Sequence, residues 1–200
     1  MNIEQMISAV QQALAIDVDG RAGPQTWGAI YQRIVGPLPA AEEADISVVD
    51  PRSETVIATL LPEVRPYARA LVQKAGAAGI RIRIISGLRT YQEQDKLYAK
   101  GRTAPGSVVT NAKAGQSNHN FGIAFDIGVF EGTKYLGDSP KYKAVGALGM
   151  DLGLEWGGNW KTIVDQPHYQ LRPSWAADMS ERNMLAELRR RKADGAGVYA

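Results

Sequence analysis

The two histidines of this 200-residue chain are the side chains best suited to hold a metal or to move a proton. His119 lies in the stretch SNHNFGIAFD, which ends in Asp126, and His168 lies in DQPHYQL, three residues after Asp165. The chain has no cysteine, so histidines and carboxylates would have to supply the ligands of any metal. Two histidines and one aspartate leave a fourth position open on a tetrahedral zinc ion, as catalytic zinc requires.

The stretch GIAFDIG predicts a strand that carries Asp126 among apolar residues. Alternation places Ala124, Asp126 and Gly128 on one face and Ile123, Phe125 and Ile127 on the other. A carboxylate in such a strand costs several kcal/mol unless it is paired or bound to a metal. His119, seven residues earlier, can reach the same point. Taken singly, each histidine is more simply explained as a hydrogen-bonded core or surface residue than as a metal ligand. The residues alone therefore leave both interpretations open.

The order of the helices and strands around these residues predicts an α+β fold. We expect a small antiparallel sheet flanked by helices, with a short N-terminal helical module. We expect four regions: a helical module at 1–36, a linker at 37–52, a catalytic domain at 53–175, and a C-terminal helix and tail at 176–200. A helix over 53–78 should be kinked or divided by Pro62 and Pro66. The remaining elements are strands over 80–86, 122–130 and 167–172, and helices over 89–101, 139–153 and beyond residue 180.

Composition excludes several classes of function. The net charge is +2 and, outside the tail, the chain has no basic stripe, which argues against nucleic acid as a partner. No run approaches the ~18 apolar residues of a membrane span. The N-terminus carries Glu4 where a secretory signal would have Lys or Arg, so we expect synthesis in the cytoplasm without a signal peptide. No serine has Lys three positions on, which removes the Ser-x-x-Lys acyl-enzyme signature. We expect a monomer.

The stretch SNHNFGIAFD matches the pattern Ser-x-His-x-x-Gly-x-Ala-x-Asp of the M15 peptidases, a family of zinc D-Ala-D-Ala dipeptidases and carboxypeptidases. The longer run from SGLRTYQEQDKLYAKGRT through LEWGGNW to PHYQLRP resembles one branch of it, the L-alanyl-D-glutamate endopeptidases found as phage endolysins and bacterial cell-wall hydrolases. The resemblance covers about residues 53–173.

The resemblance implies a zinc-dependent peptidoglycan hydrolase that cuts the L-Ala–D-Glu bond of stem peptides, with the fold of the zinc D-Ala-D-Ala peptidases. Such an enzyme would reach the cell wall by holin-type release or a dedicated secretion route. The alternatives are a D-Ala-D-Ala carboxypeptidase or dipeptidase and a non-catalytic wall-binding module. The residue roles that it implies are zinc ligands at His119, Asp126 and His168, an acid/base at Asp165, an arginine facing the substrate carbonyl at Arg89, and substrate contacts at Ser117 and Gln94.

The two ends of the chain suggest further contacts. AVQQALAIDVDGRAGPQTWGAI resembles the three-helix peptidoglycan-binding domain of wall hydrolases, with Asp19, Gly20 and Trp27 as candidate wall-binding residues, although it stops short of the usual third helix. The tail carries four cations at 189–192. Cations near a helix C-terminus complement its dipole, and the sharper alternative is weak contact with an anionic membrane surface.

Overall fold

The structure is a computed structural model that describes residues 1–22, 26, 29–30, 33 and 49–200. The chain divides into two compact units, Met1–Asp45 and Ile46–Ala200. The second unit includes the C-terminal segment that the sequence analysis separated from the catalytic domain. No helix in the described part of the chain is long and apolar enough to cross a membrane.

The described part of the first unit contains helix α1, Ile3–Ala13, and the turn that follows it. Gln11, which is 2% exposed, holds this turn. Its Nε2 donates to Asp19 Oδ1 at 2.7 Å, and its Oε1 accepts from the backbone N–H of Gly20 at 2.9 Å. Gly20 has a φ of 69°, which favours glycine. The structure therefore places Asp19 and Gly20 in hydrogen bonds within the unit, while Trp27 lies outside the described residues.

The second unit begins with two helices, α2 at Pro51–Ile57 and α3 at Arg65–Ala77. The predicted helix over 53–78 is thus divided in the region of Pro62, because proline cannot donate the backbone hydrogen bond that would continue it. Helix α2 starts inside the predicted linker, with Asp50 as its N-cap and Pro51 in its first turn. The later helices are α4 at Tyr91–Ala99, α5 at Lys141–Asp151 and α6 at Glu181–Ala193.

Among the described residues, five strands form one antiparallel sheet of order β1-β2-β5-β4, with β3 paired to β2. The fold is therefore α+β, as the sequence predicts. Strands β3 and β4 are missing from the prediction because segments of three and two residues carry no readable alternation. The strands are β1 at Ile82–Ser86, β2 at Ala124–Glu131, β3 at Lys134–Leu136, β4 at Glu155–Trp156 and β5 at His168–Gln170.

The sheet buries one face and leaves the functional residues of β2 on the other. Phe125 and Ile127 are fully buried in the main core, with residues of α2, α3 and α5. This agrees with the predicted alternation and directs Asp126 away from the core. A smaller core holds α6 against the segment before β2, through Met184 and Leu188, both 0% exposed. Burial of each such side chain contributes about 1.5–3 kcal/mol, so α6 is firmly part of this unit.

Candidate metal centre

Three predicted ligands converge where β2, β5 and the segment before β2 meet. Asp126 on β2 is the register partner of His168 on β5, and His119 lies in the short 3-10 helix Asn118–Phe121 that precedes β2. Asp126 Oδ1 is 3.3 Å from His119 Nε2 and 3.3 Å from His168 Nδ1. One ligand atom from each residue lies within 4.8 Å of the others.

The spacing of these atoms fits zinc. Tetrahedral zinc with ligand distances of about 2.0–2.1 Å places neighbouring ligand atoms about 3.3 Å apart, and both distances to Asp126 Oδ1 have this value. The donor set of two imidazoles and one carboxylate is typical of catalytic zinc with a fourth position open. Two of the three spacings therefore match tetrahedral zinc, and all three ligand atoms lie within 4.8 Å of one another, so His119, Asp126 and His168 are positioned to hold the ion.

The outer ring nitrogens of both histidines are also engaged. His119 Nδ1 lies 2.8 Å from the carbonyl oxygen of Gly87, and His168 Nε2 lies 3.0 Å from Gln170 Oε1. Because both acceptors are oxygens, each outer nitrogen carries the proton in the neutral ring, and the inner nitrogen keeps its lone pair for a metal. The structure thus sets the tautomer that metal binding requires.

The metal-free centre is strongly polarised. Burial acts to raise the pKa of Asp126, but the charges and hydrogen bonds of His119 and His168 outweigh it and hold that pKa well below its usual value. Burial acts to lower the pKa of His168, and contact with Asp126 outweighs it, so that pKa is raised. Without a metal, Asp126 and His168 each stabilise the charged form of the other, and a bound cation would take the place of the proton.

Asp165 is held near the ligands by the turn that leads into β5. Its backbone N–H donates to the Gly157 carbonyl at 3.0 Å, and its own carbonyl accepts from the N–H of His168 at 3.2 Å. The indole N–H of Trp156 donates to the Gln166 carbonyl at 2.8 Å, which fixes the same turn. Burial raises the pKa of the Asp165 carboxyl, and the charge of Asp126 adds to the rise, against the lowering effect of His168. A carboxyl in this position suits proton transfer.

Arg89 lines the same cleft and is positioned by a relay of polar groups. Its guanidinium donates to Gln94 Oε1 at 2.9 Å and to Ser86 Oγ at 3.1 Å, and Nη2 lies 3.8 Å from Asp126 Oδ2. Gln94 is 0% exposed, and its Nε2 donates to the Ala112 carbonyl at 2.8 Å. The structure thus places Gln94 behind Arg89 and in a hydrogen bond with it, and the predicted contact of Gln94 with substrate stays a prediction.

The centre opens into a cleft with a volume of about 1120 Å³. This is slightly above the roughly 300–1,000 Å³ typical of small-molecule sites, which suits an extended peptide. Ser117 lines the cleft, as does Asp165. The loops 108–112 and 160–163 form part of its walls and present exposed apolar side chains at Val108, Val109 and Ile163.

Gln170 belongs to the site and was missed by the sequence analysis. The alternation of strand β5 places His168 and Gln170 on one face and Tyr169 on the other, and this pattern was available from the sequence. It was overlooked because an amide is not itself a metal ligand in such sites. Asn118, which donates to Gln170 Oε1, was missed for the same reason.

The four cations of the C-terminal tail make contacts within the chain. Arg189 donates to the Gly115 carbonyl at 2.8 Å, and Lys192 Nζ donates to the Asn120 carbonyl at 3.1 Å. Arg190 and Arg191 both pair with Glu187. An anionic lipid surface would have to compete with these contacts, so the prediction of membrane contact gains no support here.

Comparison with known proteins finds a family match, sequence relatives and a structural neighbour. The family described as D-alanyl-D-alanine carboxypeptidase matches residues 110–171, which contain the three candidate ligands. The peptidoglycan L-alanyl-D-glutamate endopeptidase CwlK of Bacillus subtilis is 37% identical over 125 residues, which are 58% of this chain and 75% of CwlK. An L-alanyl-D-glutamate peptidase of a Listeria phage is 31% identical over 125 residues, 60% of this chain and 40% of the phage protein. The Serratia marcescens L-Ala D-Glu endopeptidase ChiX aligns with a TM-score of 0.49 at 23% identity, over 64% of this chain and 93% of ChiX.

Proposed function

We propose, since the chain belongs to the M15 family of peptidases, that it is a zinc-dependent endopeptidase that cuts the L-Ala–D-Glu bond of peptidoglycan stem peptides. The observation that carries this proposal is the convergence of three zinc-type ligands with Asp165 and Arg89 in one cleft. The activity named for the Bacillus and phage relatives supports the choice of bond.

His119, Asp126 and His168 would hold the zinc ion. When bound, zinc supplies a Lewis acid and lowers the pKa of a coordinated water from about 15.7 to about 7. The chain contributes the fixed geometry: Asp126 and His168 are tied by strand pairing, and the outer nitrogens of both histidines are held by Gly87 and Gln170.

Asp165 acts as the general base and then the general acid. Its carboxylate accepts the proton of the attacking water and later returns it to the amine of D-Glu as the peptide bond breaks. The raised pKa of Asp165 favours the first step, because a more basic carboxylate accepts the proton of the water more readily. The turn fixed by Gly157 and Trp156 keeps the carboxyl beside the ligands.

Arg89 stabilises the negative charge that develops on the carbonyl oxygen of L-Ala. Its bonds to Gln94 and Ser86 use two of its five N–H donors and fix the plane of the guanidinium. A donor that is fixed before the reaction needs no reorganisation as the charge appears, and one such donor contributes about 2.7–4 kcal/mol in comparable sites.

A second candidate is a D-Ala-D-Ala carboxypeptidase, and the description of the matching family favours it. Both activities would use the same ion and the same Asp165, so the metal centre does not discriminate between them. The decision depends on which part of the stem peptide lies across the centre. A wall-binding module without turnover is a third reading, and the presence of Asp165 and Arg89 in the cleft argues against it.

Defined peptides separate these candidates. The zinc-loaded protein is incubated with a free stem pentapeptide that contains L-Ala–D-Glu at one end and D-Ala-D-Ala at the other, and the fragments are identified by mass spectrometry. An endopeptidase releases L-Ala and a tetrapeptide that begins with D-Glu. Loss of a single D-Ala instead would assign the carboxypeptidase activity. An intact peptide would exclude both candidate activities. The test uses a readout of bond position, so it does not depend on cell lysis.

The site of action follows from the substrate: we propose that the protein works on the cell wall. Binding of wall by the N-terminal unit stays a prediction. Asp19 and Gly20 are engaged with Gln11, so a wall contact by this unit would have to compete for these groups or use others.

A further inference from the structure

Five side chains beside the metal centre form a closed ring of hydrogen bonds and ion pairs. We call this the polar ring; its members are Asn118, Glu155, Gln170, Arg172 and Glu181. Asn118 Nδ2 donates both to Gln170 Oε1 and to Glu181 Oε1. Gln170 Nε2 donates to Glu155 Oε2 at 2.6 Å. Arg172 closes the ring, because it donates to Glu155 Oε1 and to Glu181 Oε2.

The polar ring draws on segments that are far apart in the chain. Asn118 precedes β2, Glu155 is on β4, Gln170 ends β5, and Glu181 is the first residue of α6. The bond between Asn118 and Glu181 spans 63 positions of sequence. The ring therefore fixes the ends of β4 and β5 relative to the start of α6.

The ring reaches the metal centre through Gln170. This side chain is 0% exposed, and its Oε1 accepts from His168 Nε2 as well as from Asn118. An amide can rotate so as to exchange its oxygen and nitrogen, and in that orientation it would present a donor to His168. Glu155 prevents this exchange, because its carboxylate accepts from Gln170 Nε2 and would repel the amide oxygen.

The charge of the ring also favours a cation at the centre. Two carboxylates and one guanidinium give it a net charge of −1, located behind the imidazole of His168. Ligating histidines commonly donate their outer N–H to a carboxylate, which raises the basicity of the ligand. Here the carboxylate of Glu155 acts one group further out, with the amide of Gln170 between it and the ring of His168.

We propose that Gln170 is a positioning residue for the zinc ligand His168, and that Glu181 holds Gln170 in register through the polar ring, which makes the C-terminal helix part of the metal centre. This inference rests on the proposed zinc site. The segment beyond residue 175, which the sequence analysis placed outside the catalytic domain, thereby supplies a group on which zinc binding depends.

The test compares zinc affinity among full-length variants. Gln170→Met keeps the length of the side chain and removes its hydrogen bonds. Glu181→Gln keeps the shape and leaves one acceptor where there were two, so an N–H faces either Asn118 or Arg172 and the ring opens. Glu187→Gln is the matched control, since it removes the charge of a carboxylate on the same helix whose two ion pairs, with Arg190 and Arg191, do not reach the ring. Zinc dissociation constants are measured by competition with a chromophoric chelator, and the cobalt-substituted proteins are compared by visible absorption.

Loss of an outer-shell partner typically weakens metal binding 10–100-fold. We expect a loss in this range for Gln170→Met, about tenfold for Glu181→Gln, and no change for Glu187→Gln, with shifted cobalt bands in the first two alone. The inference would be overturned if both ring variants bound zinc as tightly as the unaltered protein and showed the same cobalt bands. If Gln170→Met does not fold, Glu181→Gln decides the result by itself, because the side chain of Glu181 is 44% exposed and its replacement disturbs no core packing. Failure of the unaltered chain to bind zinc would instead refute the proposed function.

Discussion

Asp126 and His168 are register partners on β2 and β5, and Asp126 Oδ1 lies 3.3 Å from His168 Nδ1. Two of the three candidate ligands are therefore placed by backbone pairing rather than by side-chain packing. A strand register is strongly specified when one face is buried, because a slip by one residue would turn Phe125 and Tyr169 out of the core. The geometry of the centre is in this way secured by the core on the opposite face of the sheet.

Removal of zinc should lower the stability of the protein. A ligand that binds the folded state alone stabilises it by about 2.7 kcal/mol at 100 times its dissociation constant. For a chain of this size such a change shifts Tm by roughly 5–10 °C. Scanning calorimetry of the chelator-treated protein with and without added zinc measures the shift. His168→Ala should show no response to zinc, and an equal response in that variant would place the ion elsewhere.

Asp165→Asn should abolish most turnover without loss of the metal. The amide keeps the shape of the side chain but cannot accept and return a proton, and general acid–base catalysis contributes about 10²–10⁴-fold. We expect kcat to fall by this factor while zinc affinity changes little. The exposed carboxylate of Asp138 provides the control, Asp138→Asn, which should retain full activity. Unaltered kcat in Asp165→Asn would assign the proton transfer to another group.

Gly157→Ala should displace the turn that carries Asp165. A Cβ at this position would lie 2.5 Å from the Asp165 carbonyl oxygen and 3.0 Å from His168 Cβ, so the turn must move. A misplacement of about 1 Å can cost about 10²-fold in rate. We predict a decrease in kcat and in zinc affinity together. Gly76→Ala, where a Cβ meets nothing within 4 Å in helix α3, should leave both values intact. Normal kinetics in Gly157→Ala would show that the turn tolerates displacement.

As the pH falls, zinc affinity should begin to weaken at a higher pH than the ordinary pKa of histidine would predict. The Asp126 carboxylate raises the pKa of His168 above its ordinary 6.5, and zinc must displace that proton. The His168 proton does not oppose binding above the raised pKa, and below it that proton lowers the affinity by about tenfold per pH unit, because it must leave before the ion binds. The lowered pKa of Asp126 keeps that ligand ionised throughout. Chelator competition at about pH 6, 7 and 8 measures the slope; a constant affinity over this range would contradict the prediction.

The sequence predicted the architecture where periodicity was long enough to read. Strand β2 and the alternation around Asp126 were clear because a buried face of Phe125 and Ile127 requires period two. Strand β4 has two residues and exists because β5 is available to pair with it, which is a tertiary effect. The contact of 176–200 with the rest of the unit was not predictable, because the burial of Met184 and Leu188 depends on partners from the segment before β2.

For the site, the sequence identified the groups that do chemistry better than those that support them. Four residues stand out by type, and the structure brings them together in one cleft: His119, Asp126, Asp165 and His168. The polar ring could not be read in the same way, since its bond from Asn118 to Glu181 joins segments whose proximity is set only by the fold.

The most direct test of the account is mass spectrometry of purified sacculi digested by the zinc-loaded protein and by Asp165→Asn. The account predicts new L-Ala carboxyl ends and D-Glu amino ends with the unaltered chain and almost none with the variant. Cleavage at D-Ala-D-Ala ends, or the same products at the same rate from the variant, would contradict it.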